Sequence, residues 1–262
     1  MCNLIIALNA APLLRKVVDM TYTFDETTLH YPGTKGFQMK VVMNGTELNG
    51  VWVQGEEISS AIHVGTHMDA PLHFTPLGVP VDQLDIRRLV APAAVIDITA
   101  KAELDPDADV TVEDLLHWES ITGQSLNETV VFLKSGWGKK WNNQTAFFGT
   151  PDYDATKLHS PGLSPESATW LVENRNIYGL GTETVSLDKG PSQDFQVHQI
   201  LLVRGIYGME NVANVDKIPI YGATVHVMPM KIGKGSGAPV RIVATYPEII
   251  FDSMLPTNEE LS

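Results

Sequence analysis

The sequence is poor in cysteine and in basic residues. Its one cysteine is Cys2, so a single chain can form neither a disulfide nor a cluster of thiolate metal ligands. Lysine and arginine number 18 against 31 aspartate and glutamate residues, which gives a net charge of −13. Because a surface of this sign repels phosphate backbones and anionic lipids, we expect neither nucleic acid nor a membrane as a partner.

The sequence also lacks a long apolar run, an internal repeat and a linker rich in proline, glycine or serine. Hydrophobic residues still make up 44% of the chain, enough for a sizeable core, so we predict one domain over residues 16–250. Residues 4–8 are apolar but follow no positively charged leader, which indicates a cytoplasmic protein. Asn-x-Ser/Thr triplets at Asn44, Asn127 and Asn143 keep secretion open as the alternative.

One short stretch of the chain concentrates the residues that indicate chemistry. His63, His67 and Asp69 share one sequence parity, so on an extended segment their side chains leave the same face. Imidazole nitrogen and carboxylate oxygen are ligands for divalent ions such as Zn²⁺ and Mn²⁺. Gly65 lets the backbone approach closely, and His73 follows where a base beside the metal's open side would lie.

Any one of these histidines, taken alone, is more simply explained as a packed core or surface residue. Four such polar groups at offsets of 0, 4, 6 and 10 residues inside an apolar frame make that explanation poor. The stretch therefore predicts a metal site with an adjacent base.

Short β-rich runs make up most of the remaining chain. The dipeptide Asn44-Gly45 is predicted to turn between two strands of a hairpin. The apolar run of residues 201–203 is predicted to be a strand, with His198 at the start of that strand. The predicted strands cover residues 16–21, 37–42, 51–54, 93–98, 129–134, 177–181, 201–203, 224–230 and 239–245.

Helical signals are fewer. Asp109 or Thr111 is predicted to cap one helix, and Ser164 to cap another that begins at Pro165. Residues 81–89 are amphipathic enough for one or two helical turns. Many short strands with two or three helices favour an α/β domain. An aromatic and irregular excursion is predicted over residues 139–163.

The chain resembles the cyclase family of metal-dependent hydrolases in the pattern His63-x-Gly65-Thr66-His67-x-Asp69-Ala70-Pro71-x-His73-Phe74. That family includes bacterial kynurenine formamidases and isatin hydrolases. The resemblance extends through most of the chain and implies a single-domain swivelling β/β/α fold. In that fold a barrel-like mixed sheet carries helices on its outside. The resemblance also implies a homodimer or homotetramer.

Family members with two metals use a histidine and, twelve residues later, a glutamate followed by asparagine. This chain has the same spacing at His198 and Glu210. The resemblance thus implies one Mn²⁺ or Zn²⁺ ion held by His63, His67 and Asp69, with Asp69 bridging to a second ion held by His198 and Glu210. Other members hold one ion, so we expect one or two per chain. With one ion, His198 and Glu210 would instead orient water or substrate.

Three further positions are compared with the family. Tyr31 and Pro32 resemble an aromatic and a proline that line the substrate pocket, although core packing of Tyr31 is an equal alternative. Aspartate stands more often in the family where this chain has Glu183, so we assign Glu183 no role.

The resemblance implies metal-assisted hydrolysis of an amide C–N bond in a small molecule. A bound ion lowers the pKa of water toward about 7, and His73 would act as general base and then as general acid. N-formylkynurenine, a formamide of tryptophan catabolism, and isatin, a cyclic amide, fit equally well. The alternatives are a lactone or ester hydrolase of the same family and an inactive, metal-stabilised binding protein. His73 argues against the inactive protein, since a structural zinc site needs no base.

Overall fold

A computed structural model of the chain describes residues 15–48 and 50–248, with the backbone alone described for residues 46–48. The apolar start with Cys2, the chain end and the last two residues of the predicted domain lie outside the described residues. The strands are β1 (Arg15–Asp19), β2 (Gln38–Leu48), β3 (Val51–Ser59), β4 (His67–Asp69), β5 (Val90–Asp97), β6 (Asp109–Val110), β7 (Val130–Lys134), β8 (Gly162–Leu163), β9 (Gly179–Thr182), β10 (Tyr207–Glu210), β11 (Thr224–Pro229) and β12 (Gly237–Pro247). The helices are α1 (Thr99–Leu104), α2 (Val112–Thr122), α3 (Gln144–Phe148), α4 (Pro165–Asn174) and α5 (Gln196–Val203).

The main sheet is mixed and closes on itself. Its eight strands follow the order β1-β12-β11-β5-β7-β9-β10-β4, and β4 pairs a second time with β12. That second pairing joins the two ends of the sheet and leaves only β1 outside the ring. Strands β5, β7, β9 and β10 run parallel, whereas the remaining pairs are antiparallel. The predicted α/β fold with a barrel-like mixed sheet is therefore confirmed.

Alternating side chains of the central strands enter two different cores. In β7, Val130 and Phe132 belong to the cluster inside the closed sheet. Their neighbours Val131 and Leu133 pack outside with residues of α2, α4 and α5. Because successive side chains of a strand point to opposite faces, this pattern shows a strand buried on both sides. Burial on both sides explains why the sequence of β7 is a continuous apolar run. The helices that cover the outer core lie on the outside of the sheet, as predicted.

The two strongest predicted helix starts are confirmed. Thr111 is the N-cap of α2, where its side chain and that of Asp114 form a reciprocal capping box. At α4, the Ser167 backbone N–H donates to Ser164 Oγ at 3.0 Å, and Pro165 occupies the first helical position. Asp109, the alternative cap for α2, lies instead in β6. No helix in the described ranges combines the length and apolar character needed to cross a bilayer.

The predicted strand at residues 201–203 is wrong, because these residues end helix α5. Its buried residues include Val197, Leu201 and Leu202, a helical spacing that packs one face against the sheet. A short apolar run fits a buried strand or a buried helix equally well, so periodicity alone could not separate them. His198 consequently lies on a helix.

The predicted hairpin is present, but its turn was predicted at the wrong residues. Strands β2 and β3 form a separate two-stranded ribbon in which Asn44 pairs with Gln54. The chain reverses only between Leu48 and Val51, so Asn44-Gly45 lies within a strand. The ribbon exposes apolar side chains, among them Val41 and Val42, each of which is about half exposed.

The aromatic excursion is more ordered than predicted. It contains α3 and β8, and Phe147 and Phe148 are fully buried in a small cluster with Trp137. These phenylalanines are therefore core residues of a satellite cluster. Trp141 at the edge of that cluster stacks on Tyr22, with ring centroids 3.9 Å apart.

Candidate metal centre

The closure of the sheet brings the two halves of the predicted site together. Strand β4 lies between β10 and β12, and Glu210 is paired with His67 in the β10–β4 register. His67 and Asp69 are both in β4, so their side chains leave the same face as predicted. His63 precedes the strand, and a bend at Gly65, with φ of +55°, turns the chain between the two histidines. The predicted extended segment therefore holds only from His67 onward.

Glycines opposite Asp69 make room for the cluster. Gly208 of β10 and Gly237 of β12 are both register partners of Asp69. A Cβ on Gly237 would lie 2.6 Å from His63 Cε1, and one on Gly208 would lie 3.3 Å from Asp69 Oδ2. A side chain at Gly237 would press on His63, and one at Gly208 would press on Asp69. The two glycines therefore keep the space around Asp69 open.

Two sets of potential ligands share Asp69. His63, His67 and Asp69 form the first set, and Asp69, His198 and Glu210 form the second. The ligand atoms of each set lie within 4.8 Å of one another. The structure thus gathers all five predicted ligand residues, although they come from β4, β10, α5 and the segment before β4.

Asp69 is at the centre of these contacts. Its Oδ1 lies 2.6 Å from His63 Nδ1 and 3.3 Å from His67 Nε2. Its Oδ2 lies 3.4 Å from His198 Nε2. Glu210 completes the ring, with Oε2 3.3 Å from His67 Nε2 and Oε1 3.0 Å from His198 Nε2.

The donor set fits a divalent metal. His67 Nε2 and Asp69 Oδ2 are buried and make no hydrogen bond, although a buried polar atom normally has a partner. Both atoms face the cluster, and the mixture of imidazole nitrogen and carboxylate oxygen suits Zn²⁺ or Mn²⁺. A metal ion would satisfy the two unpartnered atoms and would balance the buried carboxylates.

Each histidine has a partner for its outer ring nitrogen. His67 Nδ1 lies 2.9 Å from the Gly65 carbonyl oxygen, and His198 Nδ1 lies 2.6 Å from Asp188 Oδ2. His63 Nε2 lies 3.0 Å from Ser236 Oγ. Such outer contacts fix the ring orientation, so the inner nitrogen of each ring faces the cluster.

Asp188 and Ser236 are the residues that the sequence analysis missed. The buried Asp188 carboxylate accepts hydrogen bonds from the Val197 and His198 backbone N–H groups as well as facing the His198 ring. It therefore caps α5 and orients the histidine of that helix at once. Both residues lie far in the sequence from the stretch that contains His63, His67 and Asp69, so ligand spacing gave no signal for either of them.

Burial and neighbouring charges both shift the pKa values of the cluster residues. Burial alone would lower the pKa of His67, but Asp69 and Glu210 raise it to about 9. Burial likewise opposes protonation of His198, while Asp188, Asp69 and Glu210 hold its pKa well above the usual range. Burial raises the pKa of Asp69, yet His63 and His67 keep it well below its usual value. Burial and the charge of Asp69 raise the pKa of Glu210.

Metal binding should therefore release protons. A His67 pKa of about 9 means that the metal-free ring is protonated at pH 7, whereas a ligating imidazole must be neutral. We expect metal binding at pH 7 to release about one proton or more per chain. We also expect the metal affinity to rise with pH up to about 9. Calorimetric titration in buffers of different ionisation enthalpy measures this release. Binding enthalpies that do not depend on the buffer at pH 7 would contradict the prediction.

His73 lies beside the cluster, at an open cleft. It ends a 3₁₀ turn, Pro71–His73, and its ring stacks on His63 with centroids 3.9 Å apart and planes 19° apart. Its other ring contacts are with Phe74 and His198. Desolvation by these walls, together with the neighbouring histidines, lowers the pKa of His73 to about 4, so the ring is neutral at pH 7.

The cleft above the cluster has a volume of about 260 Å³. Tyr31 lines it and also packs against the cluster that contains Trp137 and the two buried phenylalanines. Pro32 is buried and is not among the lining residues. Phe74, Val185 and Phe195 give the cleft an apolar side, and His63, His67, His198 and Glu210 give it a polar base. The cleft therefore fits a small molecule with an apolar body and a polar group that faces the cluster.

Glu183, to which no role was assigned, stabilises a neighbouring turn. Its Oε2 accepts hydrogen bonds from the Ser135 and Gly136 backbone N–H groups, both at 2.7 Å. Burial raises the pKa of this carboxyl group. Glu183 is not among the residues that line the cleft, so its contacts indicate a structural role.

Comparison with known proteins agrees with this geometry. A family model described as a putative cyclase matches residues 18–189. The chain belongs to the cyclase family. An isatin hydrolase from Roseibium aggregatum is 33% identical over 195 residues, which cover 71% of this chain and 72% of that protein. A kynurenine formamidase from Bacillus cereus is 27% identical over 226 residues, which cover 86% of this chain and 95% of that protein.

Solved structures of the cyclase family share the fold. Isatin hydrolase A from Labrenzia aggregata, solved with benzyl benzoate, matches with a TM-score of 0.82 and 31% identity over 89% of this chain and 94% of that chain. The structure of a potential metal-dependent hydrolase with cyclase activity matches with a TM-score of 0.69 over 90% of this chain and 100% of that chain. At 20% identity, that second match shows likeness of fold alone.

Proposed function

We propose that this cyclase-family protein is a metal-dependent amidohydrolase that cleaves the C–N bond of an aryl formamide or a cyclic amide. The observation that carries the proposal is the convergence of two ligand sets on Asp69 at the base of a cleft, with His73 beside them. The similarity to an isatin hydrolase and to a kynurenine formamidase supports a non-peptide amide as the substrate.

The ligand residues are assigned as the sequence predicted. His63, His67 and Asp69 hold one ion, and Asp69 with His198 and Glu210 holds a second where two are bound. We propose Mn²⁺ or Zn²⁺, because both accept mixed imidazole and carboxylate donors. When bound, a divalent ion supplies Lewis-acid chemistry: it lowers the pKa of water toward about 7 and polarises a carbonyl oxygen.

His73 moves the protons of the reaction. Its neutral ring accepts a proton from the attacking water and returns that proton to the leaving nitrogen, as a general base and then a general acid. Stacking on His63 holds the imidazole beside the ligand set and keeps it at the cleft. Residues Tyr31 and Pro32 are proposed to shape the substrate end of the cleft, Tyr31 by lining it and Pro32 by packing behind it.

The substrate class is tested on protein that has been stripped of metal and reloaded with Mn²⁺ or Zn²⁺. Three compounds separate the alternatives: formanilide for aryl formamides, isatin for cyclic amides and dihydrocoumarin for lactones. We expect hydrolysis of formanilide, of isatin or of both by the reloaded protein, and none by the stripped protein. Hydrolysis of dihydrocoumarin alone would replace the amide with an ester-type substrate. Turnover of none of the three by metal-loaded protein would overturn the proposal.

The protein is also proposed to be a homodimer or homotetramer, with a cytoplasmic location that fits its single cysteine. The ribbon of β2 and β3 supports the oligomer. Its exposed apolar residues include Val51 at 61%, Trp52 at 61% and Ile58 at 59% exposure. An isolated two-stranded hairpin is at best marginally stable in water, so a ribbon of this length needs a surface to pack against.

We therefore expect an oligomeric mass at micromolar concentration by light scattering. A double substitution in the ribbon, Trp52→Glu with Ile58→Glu, should lower that mass by introducing charge into the apolar contact. Leu104→Glu is the matched control, because Leu104 is 91% exposed at the end of α1, away from the ribbon. A monomeric mass for the unaltered protein, or an unchanged mass for the double variant, would contradict the ribbon as the contact.

A further inference from the structure

Phe195 stands at the junction of the cleft and the metal centre. Its ring contacts Phe74 at a centroid distance of 5.8 Å and Tyr31 at 6.2 Å. It also meets His198 edge-on at 5.8 Å. Phe195 is therefore the residue that joins the aromatic side of the cleft to a ligand histidine at its base.

The backbone of Phe195 is strained. It has φ of 51° and ψ of 46°, the left-handed region, which bulky side chains rarely adopt. The other non-glycine residues with positive φ in the described ranges are Glu128, Asn211, Asn214 and Lys234, so no other aromatic residue there shares this conformation. Strained backbone of this kind persists where the surrounding structure requires it, and it occurs often at functional sites.

Helix capping does not explain the strain. Phe195 is the N-cap of α5 but supplies no side-chain cap. The Asp188 carboxylate accepts the Val197 and His198 N–H groups in its place. Glycine or asparagine would make the same turn at lower cost. What a phenylalanine adds at this position is its ring, which the turn directs into the cleft.

The ring faces a space suited to a flat apolar group. Phe74 and Phe195 form one wall with their ring planes 53° apart, while the stacked pair of His63 and His73 lines the same cleft. An aromatic ring between these walls gains offset or edge-to-face contacts that a saturated ring of equal size cannot make. The polar base then faces the carbonyl of the bound molecule.

We infer that Phe195 is a specificity-determining residue, held in a strained conformation so that its ring selects substrates with a planar aromatic group next to the amide. This inference rests on the proposed function and names a residue to which neither the sequence nor the similarity assigned a role. Phe195 acts on substrate binding, so its effect is expected mainly in KM.

The test compares formanilide with N-cyclohexylformamide, which has the same reacting group on a saturated ring. Phe195→Leu should lower the ratio of kcat/KM for formanilide to kcat/KM for N-cyclohexylformamide by about three- to tenfold relative to the unaltered protein. We expect the change to come from a higher KM for formanilide, with the metal content retained. Phe195→Tyr restores an aromatic ring and should keep the ratio. An unchanged ratio in Phe195→Leu would overturn the inference, and so would a ratio lowered equally in Phe195→Tyr.

Melting temperatures test the strain separately. Phe195→Gly should melt about 2 to 4 °C above Phe195→Ala, because both lose the ring and only glycine relieves the left-handed backbone. Glu128→Gly is the matched control: Glu128 has φ of 60° far from the cleft, so that variant should leave the substrate ratio unchanged. Equal melting of the glycine and alanine variants, or a changed ratio in Glu128→Gly, would contradict the assignment.

A failure of the proposed function can be distinguished from a failure of the inference about Phe195. If the unaltered protein hydrolyses neither the formamides nor isatin, the amidohydrolase assignment fails. In that case, and where isatin alone is hydrolysed, aromatic selection is read from binding of acetanilide and N-cyclohexylacetamide by calorimetry. A preference for acetanilide that is lost in Phe195→Leu and kept in Phe195→Tyr supports the role of Phe195 without hydrolysis. If the formamides are hydrolysed but Phe195→Leu discriminates as before, the function stands and the inference about Phe195 is wrong.

Discussion

His73→Ala should reduce turnover by a factor of about 10² to 10⁴ and leave the metal content unchanged. The reason is that His73 faces the cleft and stacks on His63 but belongs to neither set of converging ligand atoms. Removing the ring therefore takes away the group that moves the proton, while all five proposed ligands remain. Turnover, metal stoichiometry and melting temperature are measured on the same preparation.

Two controls interpret that result. His117→Ala removes an exposed histidine of α2 and should change none of the three quantities. His67→Ala removes a proposed ligand and should lose metal and turnover together. If His73→Ala loses its metal as readily as His67→Ala, His73 belongs among the ligands. If it keeps nearly full turnover per folded molecule, the ring has only a structural role.

Asp69→Asn should have the largest effect of any single substitution, because Asp69 is the one residue common to both ligand sets. An amide keeps the shape of the carboxylate but removes the charge that faces three histidines. We expect loss of metal from both positions. Turnover should fall by more than about 10³-fold, since loss of a single oxyanion-stabilising donor already costs about 10²- to 10³-fold.

Asp97→Asn is the matched control for this substitution. Asp97 ends β5 of the same sheet and pairs with Lys134 at 2.7 Å, away from the cluster, so its variant should keep metal and turnover. Metal content that is unchanged in Asp69→Asn would contradict the shared site. Loss of only half of the metal would show that one position binds independently of Asp69.

The first half of the site could be predicted from residue spacing, whereas the second half could not. His67 and Asp69 fall on one strand, where a period of two places them on one face. His198 and Glu210 lie on a helix and a distant strand, and they reach Asp69 only because β10 pairs with β4 as the sheet closes. No local pattern encodes that pairing, so the resemblance to the family was needed to assign these two ligands.

The errors of the sequence analysis have physical causes. Residues 201–203 were assigned to a strand because a short apolar run fits both kinds of buried element. Asn44-Gly45 was assigned to a turn because the dipeptide favours one, but cross-strand pairing continued the ribbon through it. Asp188 was overlooked because a carboxylate that acts through His198 carries no ligand spacing of its own.

The central claim is that a metal held around Asp69 is required for hydrolysis and also stabilises the fold. One chelation series tests it: the protein is stripped stepwise, and metal content, turnover and melting temperature are measured at each step. Turnover should fall to zero with the metal and return with Mn²⁺ or Zn²⁺. Metal at a hundredfold excess over its dissociation constant raises the free energy of unfolding by about 2.7 kcal/mol. The melting temperature should therefore fall by about 5 to 10 °C when the metal is removed. Full turnover and an unchanged melting temperature in protein shown by elemental analysis to be metal-free would contradict the account.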